Sequence, residues 1–209
     1  GFLLRDEEDN DISIDELEGI QQTLNLWEGE LQSAFEVNGQ LVKVRTICHP
    51  GRDLISVHVE TNEDNLSNLP VAFTFPYGSE NWGPTMADWN AADRHTTSII
   101  QEKPTSVKLK RTLDQDVYYV QIAYTKNCTS KSQSQHQIVV QSHEGSSFEL
   151  AIEFTKDDPT EALLSFAETQ SETKATWKRF FWSTGGAVDL HESSNPHAEE
   201  LERRIVLSQ

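Results

Sequence analysis

Basic residues are scarce in this chain. Its 209 residues include 17 Lys and Arg against 34 Asp and Glu, for a formal net charge of −17. Nucleic-acid contacts need clustered Lys and Arg, so the deficit argues against a nucleic-acid partner, and the acidity reads as a solvated surface. Long apolar runs are missing as well. No stretch approaches the roughly 18 consecutive apolar residues of a spanning helix, which leaves no membrane segment. Gly1 to Leu4 is too short, and too quickly followed by acids, to be a signal peptide. Cysteine is reduced to Cys48 and Cys128. They allow one disulfide and no metal set, and two buried free thiols are the plainer arrangement.

Motifs of known chemistry are also lacking. There is no nucleophile elbow, no phosphate loop and no zinc spacing, and Gly185-Gly186 lacks the strand and helix that a nucleotide loop needs. His49, His58, His95, His136, His143, His191 and His197 are scattered, without the spacing that puts two on one helix face or strand end. Each reads as a surface or satisfied histidine rather than a ligand, so no metal and no cofactor is expected. Asn65-Leu66-Ser67 and Asn127-Cys128-Thr129 match the glycosylation acceptor pattern and fit a secreted protein from a glycosylating cell. Such triplets are common by chance, and the compartment stays open.

What the chain does have is period-two alternation. Ile55, Val57 and Val59 alternate with Ser56, His58 and Glu60, and Phe148, Leu150, Ile152 and Phe154 alternate with Glu149, Ala151 and Glu153. Asn38-Gly39 is a strong two-residue hairpin signal, and Pro50-Gly51, Leu113-Asp114 and Glu144-Gly145 mark further reversals. Strands are expected at 31–37, 41–49, 53–60, 71–75, 96–101, 106–112, 117–124, 136–141 and 147–154. Many short strands with no helix between them predict a mainly β fold, an antiparallel β-sandwich. Before it, residues 5–18 are acidic and polar with scattered Ile and Leu, a flexible lead-in or a surface strap.

One connection, Pro76 to His95, is too long for a hairpin. It carries Tyr77, Trp82, Asp88, Trp89 and Asp93, and ends on Arg94 and His95. Flat apolar rings beside fixed polar groups suit a sugar, whose C–H face stacks while its hydroxyls form hydrogen bonds. The same rings could instead plug the edge of the sandwich. Asp88 and Asp93 do not make a catalytic pair, because two carboxylates on one loop rarely oppose each other across a glycosidic bond.

After Phe154 the period becomes helical. Asp158-Pro159-Thr160-Glu161 is close to a capping box, and Phe166, Gln170, Thr173, Trp177 and Phe181 share one face of a helix running to about Trp182. Packing against the sandwich or a further module explains the cluster Trp177, Phe180, Phe181 and Trp182. A second helix is expected with Asn195 as N-cap and Pro196 at its first position, Glu199 and Glu200 in the first turn, and Arg203 and Arg204 later. No stop signal follows Leu201 and Ile205, so the chain reads as a segment of something longer.

Several segments together resemble a known family. They are Gln21 to Gly29, Ala87-Asp88-Trp89-Asn90 with Arg94-His95-Thr96-Thr97, Trp177 to Asp189, and above all Glu200 to Gln209. They look like the N-terminal part of bacterial and fungal six-hairpin glycosidases related to glycoside hydrolase family 65. The resemblance implies a β-sandwich, a linker helix and the first helix of an (α/α)6 barrel that is absent from this segment and carries the catalytic acid. The corresponding divisions are an acidic lead-in at 1–20, a sandwich domain at 21–157, a linker at 158–194 and the start of the barrel at 195–209. It also implies a carbohydrate substrate, an inverting exo-acting parent with the missing barrel as partner, no catalytic residue here, and Trp82, Asp88, Trp89 and His95 near the substrate. A non-catalytic sugar-binding or assembly module is the alternative.

Overall fold

The computed structural model describes residues 1–6, 8, 10–63, 66–78, 83, 86–183 and 188–208. Among them the strands are β1 (Glu18–Asn25), β2 (Glu30–Val37), β3 (Gln40–Cys48), β4 (Leu54–Thr61), β5 (Val71–Thr74), β6 (Tyr77–Gly78), β7 (Ala87–Asp88), β8 (His95–Lys103), β9 (Ser106–Leu113), β10 (Asp116–Tyr124), β11 (Cys128–Ser134), β12 (Gln137–Ser142) and β13 (Ser147–Thr155). Two helices follow, α1 (Phe166–Ser183) and α2 (Ala198–Leu207). The strands are antiparallel. An eight-stranded sheet runs β1-β2-β3-β4-β13-β10-β9-β8, a three-stranded sheet runs β11-β12-β5, and β6 pairs with β7.

Alternation decides which side of each strand is buried. Phe35, Val42, Val59, Leu109, Val120, Ile122, Phe148 and Leu150 line the inner face of the large sheet and meet Ile138 and Val140 of β12 in one core. This is the expected sandwich. Asn38 and Gly39 both have positive φ, 51° and 75°, the geometry of the tight hairpin that their sequence demands.

The acidic lead-in is a strap. The backbone of Leu3 donates to Pro70 at 2.8 Å, Phe2 lies edge-on to Phe35 with ring centroids 6.0 Å apart, and Leu4, Ile12 and Leu17 pack on the core. Both cysteines are free, but only Cys128 is buried; Cys48 is exposed. Burial pushes the Cys128 thiol up from its ordinary value. The Asn127 side-chain amide donates to the carbonyls of Glu144 and Ser147 at 2.9 and 3.0 Å, so this acceptor triplet is folded into the base of a turn. Asn65 lies outside the described residues.

Helix α1 lies on the outer face, against β3, β4 and β13. Its expected face is the buried one, with Phe166, Thr173 and Phe181 covered and Thr169 beside them. The attachment is largely polar. The Thr169 and Ser56 hydroxyls are 3.0 Å apart, Thr173 donates to the Cys48 carbonyl at 3.0 Å, and Gln170 donates to Glu30 at 2.7 Å. The helix does not start at Asp158. Lys108 engages Asp158 at 2.7 Å, and the capping box is Ser165 with Glu168, whose carboxylate accepts from Ser165 N at 2.8 Å while Ser165 Oγ accepts from Glu168 N at 3.3 Å. Helix α2 likewise begins later than Asn195. Asn195 Oδ1 and O accept from the backbone of His197 and Ala198 in the turn before it.

Candidate functional site

The long connection is anchored at both ends. Tyr77 pairs with Asp88 and Gly78 with Ala87, and a 3-10 turn at Ala92–Arg94 leads into β8. Within it the carboxylate of Asp88 accepts from Asn90 N at 2.9 Å, a local brace of the kind Asp makes in turns. Trp89 then projects outward at 60 % exposure, with Met86 also exposed nearby in sequence. At that exposure most of the residue is uncovered. Trp82 lies outside the described residues.

His95 is placed differently, buried at 4 % exposure. Its ring stacks on His136 with centroids 3.8 Å apart and planes 14° from parallel, and Tyr77 closes the other direction at 5.9 Å. Among the described residues His95 Nδ1 is buried and meets no hydrogen-bonding atom. Burial first, then the neighbouring His136 and Arg111, holds the His95 ring below the ordinary histidine range, with Asp93 pulling weakly the other way.

Arg111 of β9 is wholly buried. Its guanidinium donates to neutral oxygens: Thr97 Oγ1 at 2.5 Å, Tyr118 OH at 3.2 Å and the Pro76 carbonyl at 3.3 Å. It also lies 3.3 Å from His136 Nδ1. A guanidinium can only donate, so Nδ1 is the accepting nitrogen of His136 and the ring proton sits on Nε2, where it reaches the Ala92 carbonyl at 2.8 Å. A chain of donors thus runs from the inner sheet face to the turn that ends the loop. A second brace runs beside it. Arg94 donates to Tyr77 OH at 2.7 Å while lying over that ring, and Tyr77 OH donates to Asp114 at 2.6 Å.

The chemistry on offer is therefore a rigidly rooted loop that displays a Trp face, not a cleft with opposed carboxylates. Grooves of about 260 Å³ between β1, β2 and β3 and about 360 Å³ under residues 159–163 open elsewhere on the molecule, and loop residues line neither. Among the described residues no cluster of His, Cys, Asp or Glu could hold a metal ion, and no helix is long and apolar enough to cross a membrane.

No protein-family model matches the chain, and no curated protein matches it. Solved structures do. A protein described as a kojibiose phosphorylase from the human microbiome superposes with TM-score 0.56 over 83% of this chain, at 12% identity. The likeness is one of fold. This chain spans about a quarter of that phosphorylase, 26% of its length. A family GH92 α-mannosidase from Bacteroides thetaiotaomicron, solved with mannoimidazole, also matches at 9% identity and TM-score 0.30, over 81% of this chain and 24% of its own.

Proposed function

We propose that this chain is the sandwich and linker portion of a larger enzyme acting on glycosidic bonds, and that residues 86–95 face its carbohydrate substrate. The observation that carries the reading is the fold shared with the kojibiose phosphorylase over most of the chain. The segment resemblances at 87–97 and 200–209 agree with it. In this reading Trp89 stacks on a sugar ring, Asp88 keeps the turn beneath it in shape, His95 supports the loop from below, and Trp82 belongs to the same loop. The bond-breaking carboxylates lie on the catalytic portion of the parent, and the 209-residue chain alone cleaves nothing.

Trp89→Ala tests it, because an exposed ring leaves no core cavity when removed. With kojibiose as probe, saturation-transfer NMR on the chain should lose its Trp89 signal and binding should weaken by roughly 1–3 kcal/mol, the range for an aromatic or hydrogen-bonded contact. The Tm should not move. Unchanged sugar binding, or a Tm lowered by several degrees, would assign the ring to packing instead.

A further inference from the structure

The root of the loop holds an ionisable ring whose Nδ1 is buried and, among the described residues, has no hydrogen-bond partner. Among the described residues no acceptor reaches the enclosed His95 Nδ1, and its ring lies flat on His136, which is itself tied to the permanently charged Arg111. Around it stand Tyr77 from β6, Asp93 and Arg94 from the 3-10 turn, Arg111 from β9 and His136 from the turn before β12. Asp93 is the acid among these, and it is exposed; Asp114, farther out, is already engaged by the Tyr77 hydroxyl. A charged His95 would bury an N–H donor without a partner and set one cation against another. With the loop lifted, the same ring would meet water.

We propose that His95 makes the loop root an acid-released latch: it is closed while the ring is neutral and opens when the ring takes up a proton, freeing the Ala92–Arg94 turn and the segment that carries Asp88 and Trp89. The latch follows from the geometry at His95 alone. Its consequence, that sugar contact through Trp89 weakens in acid, rests on the function proposed above.

The direction follows from linkage. The closed form disfavours the proton, so the open form binds more of it, and the closed loop loses stability as pH falls below the ordinary histidine value of about 6.5. One such group makes opening up to about tenfold more frequent between pH 7.5 and 5.5. That range stays above the pI of about 4.7.

Amide hydrogen exchange of residues 86–94 in the 209-residue chain, divided at each pH by the intrinsic chemical rate, reads the opening. Exchange should accelerate about tenfold from pH 7.5 to 5.5, and His95→Phe, which keeps a stacking ring and cannot titrate, should flatten the profile. Constant protection in the wild-type chain overturns the latch, as does the same acceleration in His95→Phe. If that variant does not fold, the wild-type His95 ring protons decide: their NMR titration must coincide with the exchange midpoint, and separate midpoints overturn the proposal. Should kojibiose give no Trp89 contact at any pH while exchange still follows His95, the latch stands and the reading of Trp89 fails.

Discussion

Two of the buried charges in this sandwich are held in two different ways. On the outer face, Glu30 is 1 % exposed and meets Arg45 through two hydrogen bonds of 3.0 and 2.9 Å, with Gln32 and Gln170 completing its coordination. The Arg45 guanidinium holds its carboxyl down at about 2 against the pull of burial. At the loop root Arg111 is just as buried but meets neutral acceptors and a pair of imidazoles. A compensated charge with its hydrogen bonds filled fastens α1 to the sheet at any ordinary pH. An uncompensated one, crowded by titratable rings, makes the attachment of the loop conditional.

The largest effect is expected at the uncompensated site. Arg111→Ala empties a fully buried volume and strips donors from Thr97, Tyr118 and the Pro76 carbonyl, so urea denaturation should show a loss of about 3–5 kcal/mol. A loss below about 1 kcal/mol would mean that the cation contributes little and that the contrast between the two sites is false. Glu30→Gln comes next. A carboxyl whose value is depressed in the fold contributes stability above its unfolded value and loses it as pH falls, here between 4.5 and about 2. The variant should be less stable by about 2–3 kcal/mol at pH 6, and the gap should narrow by about 2 kcal/mol at pH 3. A gap that does not change with pH would remove the electrostatic half of the comparison.

The third effect is steric. Gly29 has φ of +64°, and a Cβ there would run into the Trp177 indole of α1. Gly29→Ala should cost about 2 kcal/mol and disturb the Trp27, Phe181 and Trp182 stack, which tryptophan fluorescence reports. If stability holds, the helix yields freely at this end, and Gln170 with Glu30 is its firm anchor.

Most of the sandwich was legible because burial on one face writes itself into alternate residues. All nine expected strands are present, each within two residues of its expected bounds. The strands that went unread lie where alternation fails. β1 and β11 sit at sheet edges, and their residues, Glu18 to Asn25 and Cys128 to Ser134, are almost all exposed; β6 and β7 are two residues each. At the start of α1 Asp158-Pro159 imitates a cap, while Ser165 and Glu168 carry the true one behind two leucines. At the site, the exposed Trp and its bracing Asp share one stretch of chain and could be found together. His95, Arg111 and His136 come from separate elements, so nothing in their spacing announces that two rings and a guanidinium meet beneath the loop.

The tied-down amide of Asn127 bears on the order of events during biosynthesis. A glycan can be attached there only while the connection between β12 and β13 is still open, because once the turn at Glu144–Gly145 closes, the acceptor nitrogen is spent on two carbonyls. Any sugar found on Asn127 would therefore be a timestamp: it would mark molecules that were modified before they folded, and each would have had to complete its sandwich without the hydrogen bonds that normally seal that corner.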